Sequence, residues 1–224
     1  MSDRTPHGLM HRDSVAPLRG PFQVVRDFEQ AIADYTGAPY AVAVNSCTMA
    51  LTLAVAWHLR ETSLKQCIEI PKRTYVSVPQ AIIHAGGHPT FRDYEWEGRY
   101  QLAPLPVWDS ARHFTSGMYS PMIRGVDGAL CVSFHASKTL GHSQGGAILH
   151  NDPEADAWYR RARFDGRSEG VAPHQDTFPM LGWHCYMSPD VAAALLLKLH
   201  SLPSYNEPLP NDPYPDLSTL EIFR

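Results

Sequence analysis

No run of apolar residues in this 224-residue chain is long enough to form a membrane-spanning helix, and its first residues, MSDRTPHGLMHRD, mix both charges without an apolar core. The expectation is a soluble, unexported, cytoplasmic protein with no membrane partner. Basic residues are not in excess: Lys and Arg number 19 against 23 Asp and Glu, a formal charge of −4. Without a basic face to neutralise a run of phosphates, a nucleic-acid polymer is excluded as the natural ligand. Cysteine is sparse, and Cys47, Cys67, Cys131 and Cys185 stand singly, which matches neither a disulfide framework nor paired zinc ligands. The 12 histidines include the pairs His7/His11 and His135/His142, but no cysteine or carboxylate joins either pair at a metal-site spacing. No metal is expected.

What is present is 44% apolar content, enough for one substantial core. From Phe22 to Thr36 apolar residues recur at steps of three and four, giving a helix with one apolar face and Gly37 as its C-cap. Residues 40–44 read as a strand, followed by the turn NSCTMAL and an apolar helix over 51–59. A second such unit follows, with a strand at 67–71 and a helix at 78–85 stopped by Gly86 and Gly87. Further strands are expected at 105–109, 129–135 and 146–150, and helices at 153–164 and 189–200. The alternation predicts an α/β fold with a mostly parallel central sheet flanked by helices. Residues 1–200 form the main domain in this reading. Pro203, Pro208, Pro210, Pro213 and Pro215 make 201–224 an extended, proline-rich tail.

Three segments can carry chemistry. In CVSFHASKTLGHSQGGAI a β-rich run ends at Ser133 and meets Lys138. In an open parallel sheet, ligands bind beyond the carboxyl ends of the strands, so Lys138 is a candidate site residue, although an exposed loop lysine fits the same letters. In LPVWDS, Asp109 ends an apolar strand, where a carboxylate needs a cationic or hydrogen-bonding partner; capping the next turn or pairing with Arg112 would also serve. In VNSCTMAL, Asn45, Ser46, Cys47 and Thr48 lie between a strand and a helix start, either as a phosphate site or as an ordinary cap. Tyr75 can lie against a planar ligand or simply pack, and Ser133 can bond a phosphate or the backbone.

Taken in order, these segments make the chain similar to the DegT/DnrJ/StrS family of sugar aminotransferases, over about Leu18 to Leu199. NSCTMAL and PKRTYVSV correspond to the family's phosphate loop and the turn after it. Asp109, Ser110 and Ala111 match an Asp-x-Ala motif, Ser133, Phe134 and Lys138 a Ser-Phe-x-x-x-Lys motif, and Gly145 and Gly146 the following glycine pair. RRARFDGR and LGWHCYMSPDVAAALLLKL resemble two later family segments.

The resemblance implies a fold-type I transferase large domain that binds pyridoxal 5′-phosphate. Lys138 would be the Schiff-base lysine and Asp109 the partner of the pyridine nitrogen. Cys47, Thr48 and Ser133 would hold the phosphate, Tyr75 and Ala111 would flank the ring, and Arg112 would sit near its phenolic oxygen. His184 would reach across a homodimer with a shared active site. The implied reaction moves an amino group from glutamate or glutamine to a keto group of a nucleotide-linked sugar or similar metabolite, as in polysaccharide biosynthesis. A cofactor-binding or assembly protein with reduced activity is an alternative. A pyridoxal-phosphate dehydratase is disfavoured, because dehydrating relatives carry His where Lys138 stands.

Departures from the family pattern are Cys47 for a glycine, Arg112 for Gln or His, Ser143 and Gln144 before the glycine pair, His184 for Asn and Tyr186 for Arg. The family continues after Leu199 into a small C-terminal domain, whereas here the proline-rich tail follows. The tail is expected to lie across a partner subunit.

Overall fold

The computed structural model describes residues 20–61, 66–119 and 128–224. His7 and His11 lie outside the described residues. The helices are α1 (Gln23–Thr36), α2 (Cys47–Leu59), α3 (Ser77–His84), α4 (Pro153–Ala162) and α5 (Pro189–Leu199). The strands are β1 (Tyr40–Val44), β2 (Cys67–Pro71), β3 (His88–Arg92), β4 (Tyr100–Gln101), β5 (Val107–Asp109), β6 (Ala129–Ser133) and β7 (Gly146–His150). Each expected element is present, and α2 begins four residues early because Ser46 accepts the Met49 amide and caps it. Gly37 ends α1 at φ 77°, a left-handed conformation that costs glycine little.

The sheet corrects the expectation of mostly parallel pairing. Five strands run in the order β1-β7-β6-β5-β4, and among them only β5 and β6 pair in parallel. β7 is antiparallel to both neighbours because the chain leaves β6 and returns beside it through 134–145 without a helix. A parallel neighbour needs a longer crossover. β1 and β2 do not pair, since α2 carries the chain to a separate two-stranded sheet in which β2 and β3, joined by α3, run parallel. β3 was not expected from the sequence. Its Pro89 cannot donate to a ladder, which suits a strand that pairs only with β2.

Strands β1, β6 and β7 are buried on both faces, and their side chains alternate between two cores. Val42, Val44, Cys131 and Ile148 join the buried α2 face; Ala41, Ala43, Leu130, Val132 and Leu149 meet Phe28 and Ile32 of α1 and Leu195 of α5. Phe28 meets Phe134 edge-on at 5.4 Å. Burial of each of the Val, Leu, Ile and Phe side chains among them contributes about 1.5–3 kcal/mol. One charged residue shares the apolar face of α1. Glu29 is 4% exposed, accepts the Ala43 amide at 2.8 Å, and pairs with Arg163 and Arg160 beyond α1.

The proline-rich segment is extended except for short 3-10 turns at Leu217–Thr219 and Glu221–Phe223. It packs on its own chain along part of its length. The Leu209 amide donates to the Arg112 carbonyl at 2.7 Å and the Leu217 amide to the Lys72 carbonyl at 2.8 Å. Leu217 and Phe223 are buried, and Phe223 lies 5.7 Å from Phe91. Prolines remove amide donors that an extended surface segment has no strand to pair with, which reconciles their number with an ordered path.

Candidate active site

Because β1 and β6 are both antiparallel to β7, and β5 is parallel to β6, the carboxyl ends of β1, β5 and β6 share one edge of the sheet. Ser46 and Cys47 follow β1, Asp109 ends β5, and Ser133 ends β6. The loop after β2 delivers Thr74 and Tyr75 to the same place. Together they line a cavity of about 380 Å³ with Thr48, Ala111, Arg112, Lys138, Gly145 and others. Eight of the nine residues singled out from the sequence therefore share one cavity: Cys47, Thr48, Tyr75, Asp109, Ala111, Arg112, Ser133 and Lys138. His184 does not. It is exposed and pairs through Nδ1 with Asp165 at 2.9 Å.

Lys138 sits on the β6–β7 connection, its amide bonded to the His135 carbonyl at 2.9 Å. Its ammonium has no ion pair or hydrogen bond among the described residues. Burial, and next the nearby Arg112 charge, hold its pKa below the usual lysine range, which raises the share of neutral, nucleophilic amine. Asp109 is buried, with one oxygen accepting the Ala111 amide and the other the Tyr100 hydroxyl, each at 2.9 Å. Burial pushes its pKa up against those two bonds and the Lys138 charge, so a cation set beside it would be stabilised while restoring the carboxylate. Tyr100 is the cross-strand partner of Asp109 and also bonds Thr74 at 2.6 Å, so β4 buttresses the carboxylate from the side.

At the start of α2, Thr48 donates to the Ser77 hydroxyl at 2.8 Å, tying this turn to α3. Burial, reinforced by Asp109, pushes the Cys47 thiol well above its usual pKa, so this cysteine is a neutral lining group. The glycine pair has a steric reason. A Cβ on Gly146 would fall 2.4 Å from the Cys47 nitrogen, so only glycine lets β7 pass this close to the α2 turn. Gly145 carries φ 133°, again outside the range of ordinary side chains.

Part of the wall comes from residues that no local pattern marks: Trp96, Ser137, Asp212 and Tyr214 also line the cavity beside Gln144, with Tyr214 stacked on Trp96 at 6.3 Å. Arg112 donates through one Nη to Asp212 at 2.7 Å.

The model of the DegT/DnrJ/EryC1/StrS aminotransferase family matches residues 17–108 and 105–208. The chain belongs to that family. Among curated relatives, the spore coat polysaccharide biosynthesis protein SpsC of Bacillus subtilis (strain 168) is 28% identical over 187 residues, covering 66% of this chain and 47% of SpsC. Among solved structures, S. venezuelae DesV superposes with a TM-score of 0.62 at 21% identity, over 80% of this chain and 57% of DesV. The sugar aminotransferase CalS13 from Micromonospora echinospora gives 0.63 at 16% identity, over 80% and 60%. These structures share the fold, that of the fold-type I large domain, and this chain spans little more than half of their length.

Proposed function

We propose that this family member is a pyridoxal-phosphate-dependent sugar aminotransferase, taking its amino group from glutamate or glutamine and passing it to a keto group of a nucleotide-linked sugar. The observation that carries this reading is the meeting of a lysine unpaired among the described residues, a buried carboxylate and a strand-to-helix turn rich in hydroxyls around one cavity. SpsC, named for polysaccharide biosynthesis, supports the sugar assignment.

The residues fit the cofactor on their own chemistry. Asp109 needs a cationic partner, such as a protonated ring nitrogen; Lys138 offers a free amine for an aldehyde; Cys47, Thr48 and Ser133 border the α2 turn where a phosphate is favoured. Tyr75, 59% exposed at the rim, and Ala111 would flank the ring. When bound, pyridoxal 5′-phosphate supplies an electron sink for bond breaking at the amine-bearing carbon. Lys138 then has the role of carrying the proton at that carbon, and Asp109 that of holding charge and orientation.

Adding pyridoxal 5′-phosphate to the purified chain should produce a visible absorption band, and glutamate should then bleach it with release of 2-oxoglutarate. A band that no amino donor alters would favour a binding or assembly role, and no band would refute the cofactor assignment. We also propose a two-fold homodimer in which His184, outside its own cavity, faces the partner's site. Light scattering should give twice the chain mass; a monomer at working concentration would overturn this.

A further inference from the structure

The Arg112 guanidinium is an under-used group. Its side chain is 9% exposed, it lines the cavity, and its Nε is buried with no hydrogen-bond partner among the described residues. Among those residues its guanidinium makes one hydrogen bond, from an Nη to Asp212 Oδ2 at 2.7 Å. Burying a guanidinium is costly unless its donors are engaged, and five N–H groups in a planar fork are best met by two oxygens at once. Asp212 meets the fork at a single point, from a side chain 63% exposed. It belongs to the segment that lines the cavity through Asp212 and Tyr214 and is anchored on either side, at Leu209 to the Arg112 carbonyl and at Leu217 to the Lys72 carbonyl. The other carboxylate in the cavity, Asp109, is committed to Tyr100 and the Ala111 amide. With Asp212 turned away, Lys138 and Arg112 leave the cavity cationic.

We propose that Arg112 is the receptor for the amino donor's carboxylate, and that Asp212 is an intramolecular stand-in which the donor displaces. The inference rests on the aminotransferase reading for the identity of the donor, but not for the carboxylate chemistry. An incoming carboxylate can engage the idle Nε together with an Nη, a bidentate contact that Asp212 does not make. Asp212 thereby sets how strongly the site holds small carboxylic acids, and loss of its contact loosens the segment that carries Tyr214 over Trp96.

The test uses the full chain loaded with pyridoxal 5′-phosphate and glutarate, a dicarboxylate with no amine, as the calorimetric probe. Asp212→Asn should tighten glutarate binding by about 5- to 10-fold, because the competing charge is gone while the segment's backbone anchors remain, and Arg112→Gln should weaken it by at least about 10-fold. Cofactor affinity of Asp212→Asn, read from the visible band, should stay within about 2-fold of the unaltered chain. Glutarate affinity unchanged in both variants, no glutarate binding to Asp212→Asn, or a shift confined to cofactor affinity would each overturn the proposal; the last would make Arg112 a cofactor contact. A missing visible band would instead count against the cofactor reading, and glutarate titrated into the cofactor-free chain would still decide the carboxylate receptor.

Discussion

Lys138→Ala is expected to lower amino transfer by at least about 10³-fold and to remove the visible band formed with pyridoxal 5′-phosphate, while leaving the melting temperature within about 2 °C of the unaltered chain. The functional half of this expectation follows from the amine's setting. Partial burial and Arg112 shift it towards its neutral form, and among the described residues no carboxylate or carbonyl ties it down and no second lysine lines the cavity to take over the proposed proton transfer. The stability half follows from the same facts, because among the described residues the side chain makes no ion pair or hydrogen bond whose loss would leave a buried partner unsatisfied. Single-turnover assays with glutamate and a thermal melt check the two halves. Retained transfer with an intact fold would remove Lys138 from the chemistry, and a collapse in melting temperature would make the lysine structural.

Glu29→Ala should destabilise the protein by about 3–5 kcal/mol, the usual consequence of taking one partner from a buried ion pair. For a chain of this size that corresponds to a fall of roughly 10 °C in melting temperature. Glu29 bonds Arg163 with one oxygen and Arg160 with the other, the latter at 2.7 Å. Arg163 is 2% exposed and also donates to the Ala43 carbonyl at 2.6 Å and to Glu169 at 2.6 Å. Removing the carboxylate leaves the Ala43 amide without its acceptor and two guanidiniums without their shared counter-charge. The contrast is Arg26→Ala, whose pair with Glu169 at 3.3 Å is half exposed and should contribute at most about 1 kcal/mol. Equal melting temperatures for the two variants would show that α1 is held by its apolar face alone.

Glu29 also shows where local reading stops. Its position on α1 is visible in the periodicity, but Arg163 lies 134 residues away, and nothing near either residue announces the pair. Lys138, Asp109 and the Ser46–Thr48 turn were legible because each follows a β-rich run, and strand ends of an α/β fold gather at one edge. Tyr100 and Trp96 were not, since they act on the site through cross-strand pairing and stacking that no local spacing encodes. Asp212 and Tyr214 sit among prolines with no helical or strand period, so the sequence marks them as irregular and says nothing of what they cover.

Strands β3 and β4 and the wall residues Trp96, Asp212 and Tyr214 escape local pattern, which carries the other elements in their order and eight of the residues that line the cavity. What it carries depends on side-chain period, turn chemistry and charge, all properties of neighbours along the chain. Long-range packing alone sets β7 antiparallel between β1 and β6, keeps β2 and β3 in a sheet apart, and brings the proline-rich segment to the cavity wall with Asp212 against Arg112. Those outcomes depend on which distant surfaces bury one another, and that is settled by packing across the whole chain.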